Sequence, residues 1–363
     1  MDRRDFLRLS GAVSATAALP GAVSNAFAQV PASGDRWRVF EVTTRVEVAK
    51  PSGVTRVWLP TPLTQDTLYQ KSMGNWWEDG GGTVTQVVDP KYGTGMVWAE
   101  FAPGSKPVLV LTSRFATRDI GVDLLVPGST PAEDPAVLQR YLQPTQYMPL
   151  DGAVKDLSSS IVKGKNTDVE KAKAIYEWIV DNTARDPKTK GCGTGDVKFM
   201  IENKLYTGKC ADLNALYVTL ARAEGLPARD VYGVRVAGSA YGYNSLGKAG
   251  GDITKAQHCR AEVYLRTHGW VPVDPADVRK VVLEEGGGKK IDDPMVVAAR
   301  KRLFGSWEMN WLAYNTGHDL ALPKASESNI AFLMYPQAET GGTRLDSLDP
   351  DNFKYTISAK EVA

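Results

Sequence analysis

The sequence contains few of the side chains that most often bind metal ions, with three cysteines and three histidines among its 363 residues. No Cys-x-x-Cys pair and no His-x-x-x-His pair occurs, so the spacing that is typical of a zinc site is missing. No acidic segment has the pattern of an EF-hand calcium loop either. These absences exclude the common sequence-encoded metal sites, and we expect the chain to use no metal and no cofactor.

A large charge of either sign is missing as well. The 43 basic and 42 acidic residues give a formal net charge of +1 at pH 7. A chain this close to neutrality has no general electrostatic attraction for nucleic acid or for anionic lipid. Beyond the N-terminus, no apolar run reaches the roughly 20 residues that a membrane-spanning helix needs. We therefore expect neither a nucleic-acid partner nor stable insertion into a membrane.

The N-terminus has the features of an export signal. It begins MDRRDFLRL, with arginines at positions 3 and 4, and a mildly apolar stretch then leads to Ala-Phe-Ala at positions 26–28. Paired arginines, an apolar region and a small-x-small site are typical of a twin-arginine signal peptide. The pattern predicts that residues 1–28 are removed and that the mature protein is exported to the periplasm.

The next part of the chain has the alternation of β-strands. Residues 38–48 read RVFEVTTRVEV, which predicts a half-buried strand whose buried face carries Phe40, Val42, Thr44, Val46 and Val48. Further short apolar runs follow, separated by glycine- and proline-rich breaks. We predict a β-sandwich-like domain over residues 35–125, and a proline-containing connector over residues 126–164.

From residue 165 the period changes to that of helices. Thr167 and Glu170 have the spacing of a capping box, and an apolar face with helical spacing follows them. A second helix and then three strand-like runs come after this helix, an order that favours an α+β fold over a doubly wound sheet. We assign residues 165–285 to this core, and residues 286–363 to a C-terminal extension that packs on it.

Cys210 lies at the start of the second helix, whose apolar face is Leu213, Leu216, Tyr217 and Leu220. Thr207 or Gly208 is the expected N-cap and Gly225 the expected end. The unpaired N–H groups and the dipole of a helix N-terminus stabilise a thiolate relative to a thiol. Cys210 is therefore a candidate nucleophile, and its N–H groups are candidate oxyanion donors.

His258 is the candidate base, because it begins the strand HCRAEVYL, which turns through RTHG into the strand WVPVD. A tight turn would pair Leu265 with Trp270 and would place His258 roughly opposite Asp277, with Asp274 three residues nearer the turn. Either carboxylate has a suitable position to orient the imidazole. The spacing alone leaves both alternatives open.

Two longer segments, GKCADLNALYVTLARAEGLPAR and HCRAEVYLRTHGWVPVDPAD, together resemble the transglutaminase-like superfamily of cysteine enzymes. The resemblance covers about residues 165 to 280. It implies an α+β core of cysteine-proteinase type, with Cys210 as nucleophile, His258 as base and Asp274 as the orienting acid. It also implies thiol acyl chemistry on an amide or peptide carbonyl, with outcomes in the superfamily that range from crosslinking to hydrolysis.

The chain departs from the family pattern at two places. Papain-like relatives carry a glutamine shortly before the cysteine as an oxyanion donor, whereas this chain reads ENKLYTGK, and Tyr206 or Asn203 is the expected substitute. The aromatic residue that often follows the histidine is replaced by Cys259 and Arg260. Because the chain is exported and Cys259 adjoins the candidate base, a disulfide between Cys192 and Cys259 is a further hypothesis.

We expect an exported thiol enzyme that acts on a polypeptide or another amide-bearing substrate, with hydrolysis favoured over crosslinking. The alternative is a non-catalytic envelope protein that uses the same fold to bind polypeptide or cell-wall material. Several nearby polar residues are expected to be structural: His268 in a turn, His318 near the tail, Asp212 in local hydrogen bonds, and Arg229 and Arg235 in ion pairs.

Overall fold

The computed structural model describes residues 36–128, 132–247 and 250–362. The predicted signal peptide, residues 1–28, lies outside these described residues. Within them, no helix has both the length and the apolar character that a membrane crossing requires.

The first part of the chain forms strands, as the alternating pattern predicts. The buried side chains of the first strand are the five that the alternation selects, so that prediction is confirmed. The strands are β1 (Arg38–Val48), β2 (Thr55–Pro60), β3 (Gln70–Glu78), β4 (Thr83–Val88), β5 (Gly95–Phe101), β6 (Val108–Thr117) and β7 (Ile120–Gly121).

Helices dominate the middle of the chain. The elements in order are α1 (Pro135–Arg140), α2 (Gly152–Ile161), α3 (Asp168–Asn182), β8 (Ala184–Arg185), α4 (Val197–Glu202), β9 (Thr207–Gly208), α5 (Cys210–Ala223) and β10 (Ala228–Arg235). The predicted capping box at the start of α3 is confirmed, since Thr167 and Glu170 each bond the backbone N–H of the other. Helix α5 is capped by Lys209, one residue later than predicted, and Gly225 follows its end with a φ of +77°.

The remaining elements are mostly short strands, with 3-10 turns at Asn244–Leu246 and Glu285–Gly287. They are β11 (Gly251–Asp252), β12 (Gln257–Leu265), β13 (Gly269–Val273), α6 (Pro275–Glu284), α7 (Pro294–Arg302), β14 (Ser306–Trp307), β15 (Trp311–Asn315), β16 (Gln337–Thr340), β17 (Thr343–Arg344) and β18 (Phe353–Glu361). The mixture of a helical block with antiparallel sheets is the α+β class that the order of elements predicts.

Two five-stranded antiparallel sheets face each other in a sandwich. Their strand orders are β11-β18-β1-β6-β3 and β17-β16-β2-β5-β4. Side chains from both sheets share one core, which contains Val46, Leu109 and Phe353 from the first sheet and Val57, Val97 and Ala338 from the second. Shared burial of this kind is what holds two sheets face to face.

The C-terminal segment is part of this sandwich. Strand β18 pairs with β1 along nine residues, from Phe40 opposite Glu361 to Val48 opposite Phe353, and β16 pairs with β2. The predicted extension, residues 286–363, therefore supplies strands to both sheets in addition to contacting the core. The local sequence contains no signal for a pairing across 300 positions, and the predicted domain ranges remain a prediction.

The third sheet, ordered β13-β12-β10-β15, carries helix α5 on one face. Every residue of α5 from Cys210 to Arg222 is buried, although the sequence indicates an amphipathic helix. The polar residues opposite the apolar face are buried because each has a specific partner. Thr219 donates to the Ala215 carbonyl, and Arg222 donates to the carbonyls of Ala228 and Gln143. Satisfied polar groups of this kind are tolerated inside a protein.

The hairpin of β12 and β13 has a register one residue away from the predicted one. Leu265 pairs with Gly269 and Tyr264 with Trp270, because the turn uses Arg266, Thr267 and His268. The ladder then ends at Val273 opposite Ala261. The chain enters helix α6 after that point, so neither predicted carboxylate is a ladder partner of His258, and their approach to it depends on the helix.

Gly233 in β10 allows a close approach of two strands. A Cβ atom on Gly233 would lie 2.1 Å from the Leu312 carbonyl oxygen and 2.5 Å from the Trp311 ring. We expect Gly233→Ala to lower the free energy of unfolding by about 1–3 kcal/mol, the usual cost of overpacking. Urea-induced unfolding measures this change in the free energy of unfolding. In the control variant Gly250→Ala the new Cβ meets its nearest neighbour at 3.5 Å, so its stability should change by less than about 1 kcal/mol. Equal effects in both variants would contradict the packing argument.

Candidate active site

Cys210 occupies the first position of helix α5, at the edge of the third sheet. Its backbone N–H precedes the first hydrogen-bonded turn, so it has no carbonyl partner within the helix. The preceding loop is held against this turn by Asp212, whose carboxylate accepts the backbone N–H groups of Thr194, Gly195 and Lys209 at 2.9–3.0 Å. The local hydrogen bonds predicted for Asp212 thus fix the position of the thiol.

Three thiols and an imidazole meet at this point. The Cys210 thiol contacts the side chains of Cys192 and Cys259 and that of His258. Hydrogen bonds from Cys192 and Cys259 hold the pKa of the Cys210 thiol well below its usual value against the opposing effect of burial, and His258 acts in the same direction. The helix N-terminus favours the thiolate further. The pKa of the Cys192 thiol and that of the Cys259 thiol are raised, so both remain protonated donors.

All three cysteines are free and buried. The hypothesised disulfide between Cys192 and Cys259 is therefore not formed. The pairing expected from export and from the position of Cys259 beside the candidate base is therefore wrong, and both thiols lie beside Cys210 instead. Cys192 also has an acceptor at 3.4 Å in the Gln257 carbonyl, which holds its sulfur at the wall of the site.

His258 is held at its ring and at its backbone. Its Nε2 atom lies 2.7 Å from Oδ2 of Asp274, and its backbone carbonyl accepts a 2.9 Å hydrogen bond from the Trp311 indole. Because Nε2 is engaged by the carboxylate, Nδ1 is the ring nitrogen left for the Cys210 thiol. The structure thus brings together the three residues predicted from the sequence: Cys210, His258 and Asp274.

Asp274 is held in place by helix α6, which it caps. Its Oδ1 atom accepts the backbone N–H of Asp277 at 3.0 Å and the side-chain amide of Asn214 at 3.3 Å, which leaves Oδ2 for His258. Asn214 belongs to α5, and it also donates to the Cys259 carbonyl at 2.8 Å. One carboxylate therefore links the helix that carries the thiol to the histidine.

Asp277, the second candidate from the spacing, also reaches the imidazole. Its Oδ1 lies 3.3 Å from Nε2 of His258, and Arg235 binds both of its oxygens at 2.6 and 2.8 Å. Burial and Arg235 lower the pKa of His258, but the charges of Asp277 and Asp274 outweigh both and raise it above the usual value. A raised histidine pKa beside a lowered thiol pKa favours an imidazolium and thiolate pair.

The oxygens of Asp274 and Asp277 and the His258 nitrogen lie within 4.8 Å of one another, a spacing that fits a metal ion. Two guanidinium groups already supply positive charge at this point. Arg235 is 2.6 Å from Asp277, and Arg260 is 3.6 Å from Asp274. The group is balanced by these arginines, and we assign it to orienting His258 rather than to binding a metal.

The thiol opens into a cavity of about 670 Å³. Cys192, Cys210 and His258 lie along its wall, and the C-terminal segment supplies three aromatic side chains to the lining: Tyr335, Phe353 and Tyr355. This wall is not predictable from the sequence, because aromatic residues in a distant tail are equally compatible with core packing. The pairing of β18 with β1 brings Phe353 and Tyr355 to the cleft, and Tyr335 lies just before β16, which pairs with β2.

The expected oxyanion substitutes lie away from the cavity. Tyr206 packs edge-to-face on Trp178, and the Asn203 side chain donates to the Phe199 carbonyl. Neither lines the cleft, so that expectation is wrong. Tyr335 does line it, with its hydroxyl beside Cys192, and burial raises its pKa well above the usual value, so it stays protonated.

The residues expected to be structural each lie beside a neighbouring polar group. His268 lies in the hairpin turn beside Thr267, and His318 is buried 3.2 Å from Asp230. Arg229 pairs with Glu262 at 2.6 Å and stacks on Trp270. Arg235 also forms the predicted ion pair, but its partner Asp277 makes it part of the site.

This chain matches two family models and one full-length relative. Residues 155–275 match the family model described as the transglutaminase-like superfamily, and residues 1–20 match that of the twin-arginine translocation signal sequence. An uncharacterized protein of Haemophilus influenzae is 32% identical over 362 residues, covering 94% of this chain and 96% of that protein. The chain belongs to the transglutaminase-like superfamily. The matched range of the superfamily model includes Cys210, His258 and Asp274.

Two solved structures are similar to this chain at low sequence identity. A candidate cysteine protease from Cytophaga hutchinsonii has a TM-score of 0.50 and 16% identity, over 90% of this chain and 98% of that one. The periplasmic domain of TgpA from Pseudomonas aeruginosa has a TM-score of 0.36 and 16% identity, over 69% of this chain and 91% of that one. At such low identity the likeness to the first of them shows the fold alone.

The carboxylate of Asp274 should affect the pKa of the Cys210 thiol through the charge of His258. Removing the carboxylate charge with Asp274→Asn lowers the pKa of His258, so the imidazolium that stabilises the thiolate is lost. We expect the inflection in the pH dependence of Cys210 alkylation by iodoacetamide to move upward by at least one unit toward pH 8.5, the value of a free thiol. At a pH below both inflections the alkylation rate then falls about tenfold for each unit of the shift.

Peptide mapping by mass spectrometry assigns the label to Cys210. The control is Asp156→Asn, the same substitution at an exposed position of α2. It should leave the pH profile unchanged. A profile that is identical in wild type and Asp274→Asn would contradict the charge network.

Proposed function

We propose that the mature chain is a periplasmic thiol enzyme of the transglutaminase-like superfamily that acts on amide carbonyls. Cys210 is its nucleophile, His258 its general base and acid, and Asp274 the residue that orients the imidazole. The observation that carries this proposal is the arrangement at the cavity wall: a thiol at a helix N-terminus contacts an imidazole whose other nitrogen lies 2.7 Å from a buried carboxylate.

The reaction begins with the Cys210 thiolate. Its sulfur attacks the amide carbonyl carbon, a carbon–sulfur bond forms, and the carbonyl electron pair moves to oxygen. The N–H of Cys210, unpaired within its helix, donates to this oxyanion, and the Tyr335 hydroxyl faces the same cavity. The carbon–nitrogen bond then breaks, and the departing amine or ammonia takes a proton from the His258 imidazolium. A thioester remains on Cys210.

The second half releases the acyl group. Neutral His258 removes a proton from water, the resulting oxygen nucleophile attacks the thioester, and Cys210 leaves again as a thiolate. An amine in place of water gives transfer instead of hydrolysis. We favour hydrolysis, because transfer needs an amine route that keeps water from the thioester, and the sequence indicates no such route.

The signal sequence supports the proposed location. The twin-arginine route carries folded proteins across the membrane, so the thiols of the site are buried before they meet an oxidising compartment.

Substitution of the two reacting groups tests the proposal. With β-casein as acyl donor and dansylcadaverine as amine, the assay measures ammonia release, amine incorporation and new N-termini side by side. Cys210→Ala should abolish every product, a loss of at least about 10³-fold in kcat/KM, and His258→Gln should lower it by about 10²–10⁴-fold, the usual contribution of a general base.

His268→Gln, the same substitution at the histidine of the hairpin turn, is the matched control and should retain activity. Full activity of Cys210→Ala in any of the assays would contradict the proposal. Absence of every product from the wild type, together with alkylation of Cys210 at the rate of a free thiol, would favour the non-catalytic binding protein.

A further inference from the structure

The cavity is strongly cationic although the chain as a whole is nearly neutral. Against a formal net charge of +1 for all 363 residues, six cationic side chains line this one cavity, while Glu284 is the only carboxylate among the described residues of its lining. The six are Arg185, Lys190, Lys209, Arg235, Lys255 and Lys280. Charge of one sign is therefore concentrated where a substrate must bind.

Four of these cations are already paired. Arg185 and Lys280 lie 2.5 and 3.6 Å from the carboxylate of Glu284, which they share. The other two, Arg235 and Lys190, each have a partner of their own, Asp277 at 2.6 Å and Asp346 at 2.5 Å. Three carboxylates thus pair with four of the six cations.

Lys209 and Lys255 have no ion-pair partner among residues 36–128, 132–247 and 250–362. Lys209 is half-buried and adjoins Cys210 at the helix start, whereas Lys255 is exposed on the loop that leads to His258. The two ammonium groups therefore belong to the two segments that carry the thiol and the imidazole. An anion near the reacting carbonyl would neutralise them without displacing any existing ion pair.

The two free cations fit a ligand of negative charge. Both arginines of this cavity, whose forks would bind a carboxylate or a phosphate at two points, are already engaged by carboxylates. Lys209 and Lys255 are point charges on flexible stems, and a carboxylate is the anion that a polypeptide substrate itself supplies. A partly enclosed cleft lined by one sign of charge also raises the local concentration of such a ligand.

We propose that this cavity selects acidic acyl donors, that is, peptides that carry a carboxylate beside the reacting amide, and that Lys209 and Lys255 are the residues that recognise this carboxylate. The inference rests on the proposed function, because it assigns a substrate class to the same thiol. It adds a preference for acidic substrates, which Cys210, His258 and Asp274 do not provide by themselves.

A matched pair of alkylating reagents tests the inference on the full mature chain without a known substrate. Iodoacetate and iodoacetamide have the same size and leaving group and differ by a carboxylate in place of an amide. The ratio of their rates at Cys210 cancels the fraction of thiolate, and it therefore reports the electrostatic field at the sulfur. We expect this ratio at low salt to exceed that of N-acetylcysteine by about tenfold or more, and to fall as salt is added.

The His258 imidazolium also attracts iodoacetate, so the lysine contribution is read from variants. In Lys209→Met/Lys255→Met the ratio should fall about fivefold or more relative to wild type. Lys163→Met is the control, the same substitution at an exposed lysine outside the cavity, and it should leave the ratio unchanged.

The outcomes separate the two proposals. A ratio equal to that of the free thiol, or one that the double variant does not change, overturns the inference and leaves the proposed function intact. If Cys210 reacts with iodoacetamide no faster than a free thiol at neutral pH, the activated thiol of the proposed function fails instead. A lysine-dependent preference for iodoacetate supports the inference.

Discussion

The hydrogen bond between the Asp274 carboxylate and the His258 imidazole is the contact on which the site depends. The same carboxylate caps helix α6 and accepts a hydrogen bond from Asn214 of helix α5. It therefore joins the strand that carries the imidazole to the helix that carries Cys210. A change in the packing of any of these three elements moves the thiol relative to the ring, and proton transfer tolerates little such movement.

This junction contains several buried charges that balance one another. Asp274 and Asp277 are negative, Arg235 and Arg260 are positive, and none is more than 4% exposed. Arg260 stacks on Trp311 and donates to the Glu308 carbonyl, which fixes its position. Burying ion pairs rarely adds stability, since the loss of hydration offsets their attraction. Their effect here is on His258, whose pKa is raised because the charges of the two carboxylates and the hydrogen bond to Asp274 together outweigh burial and the charge of Arg235.

Local signals in the sequence were sufficient for part of this arrangement. The alternation of β1, the capping box of α3 and the placement of Cys210 in the first turn of its helix all follow from neighbours within a few positions. The resemblance to the superfamily added Asp274, because the hairpin spacing alone allowed Asp277 equally. Both carboxylates in fact contact the imidazole. The register was wrong by one residue, since nothing in RTHG fixes how many residues the turn uses.

The aromatic wall of the cleft could not be predicted from local signals. It depends on the pairing of strands that lie at opposite ends of the chain. Strand β18 lies between β1 and β11, so its nine residues connect the sandwich to the loop before β12. Phe353 belongs to the sandwich core and also borders the cavity, and Tyr355 packs against the cores of both regions. The sandwich is therefore structurally coupled to the candidate active site through β18. It holds Phe353 and Tyr355 at the cavity, and the shape of this wall depends on how β18 is seated against β1.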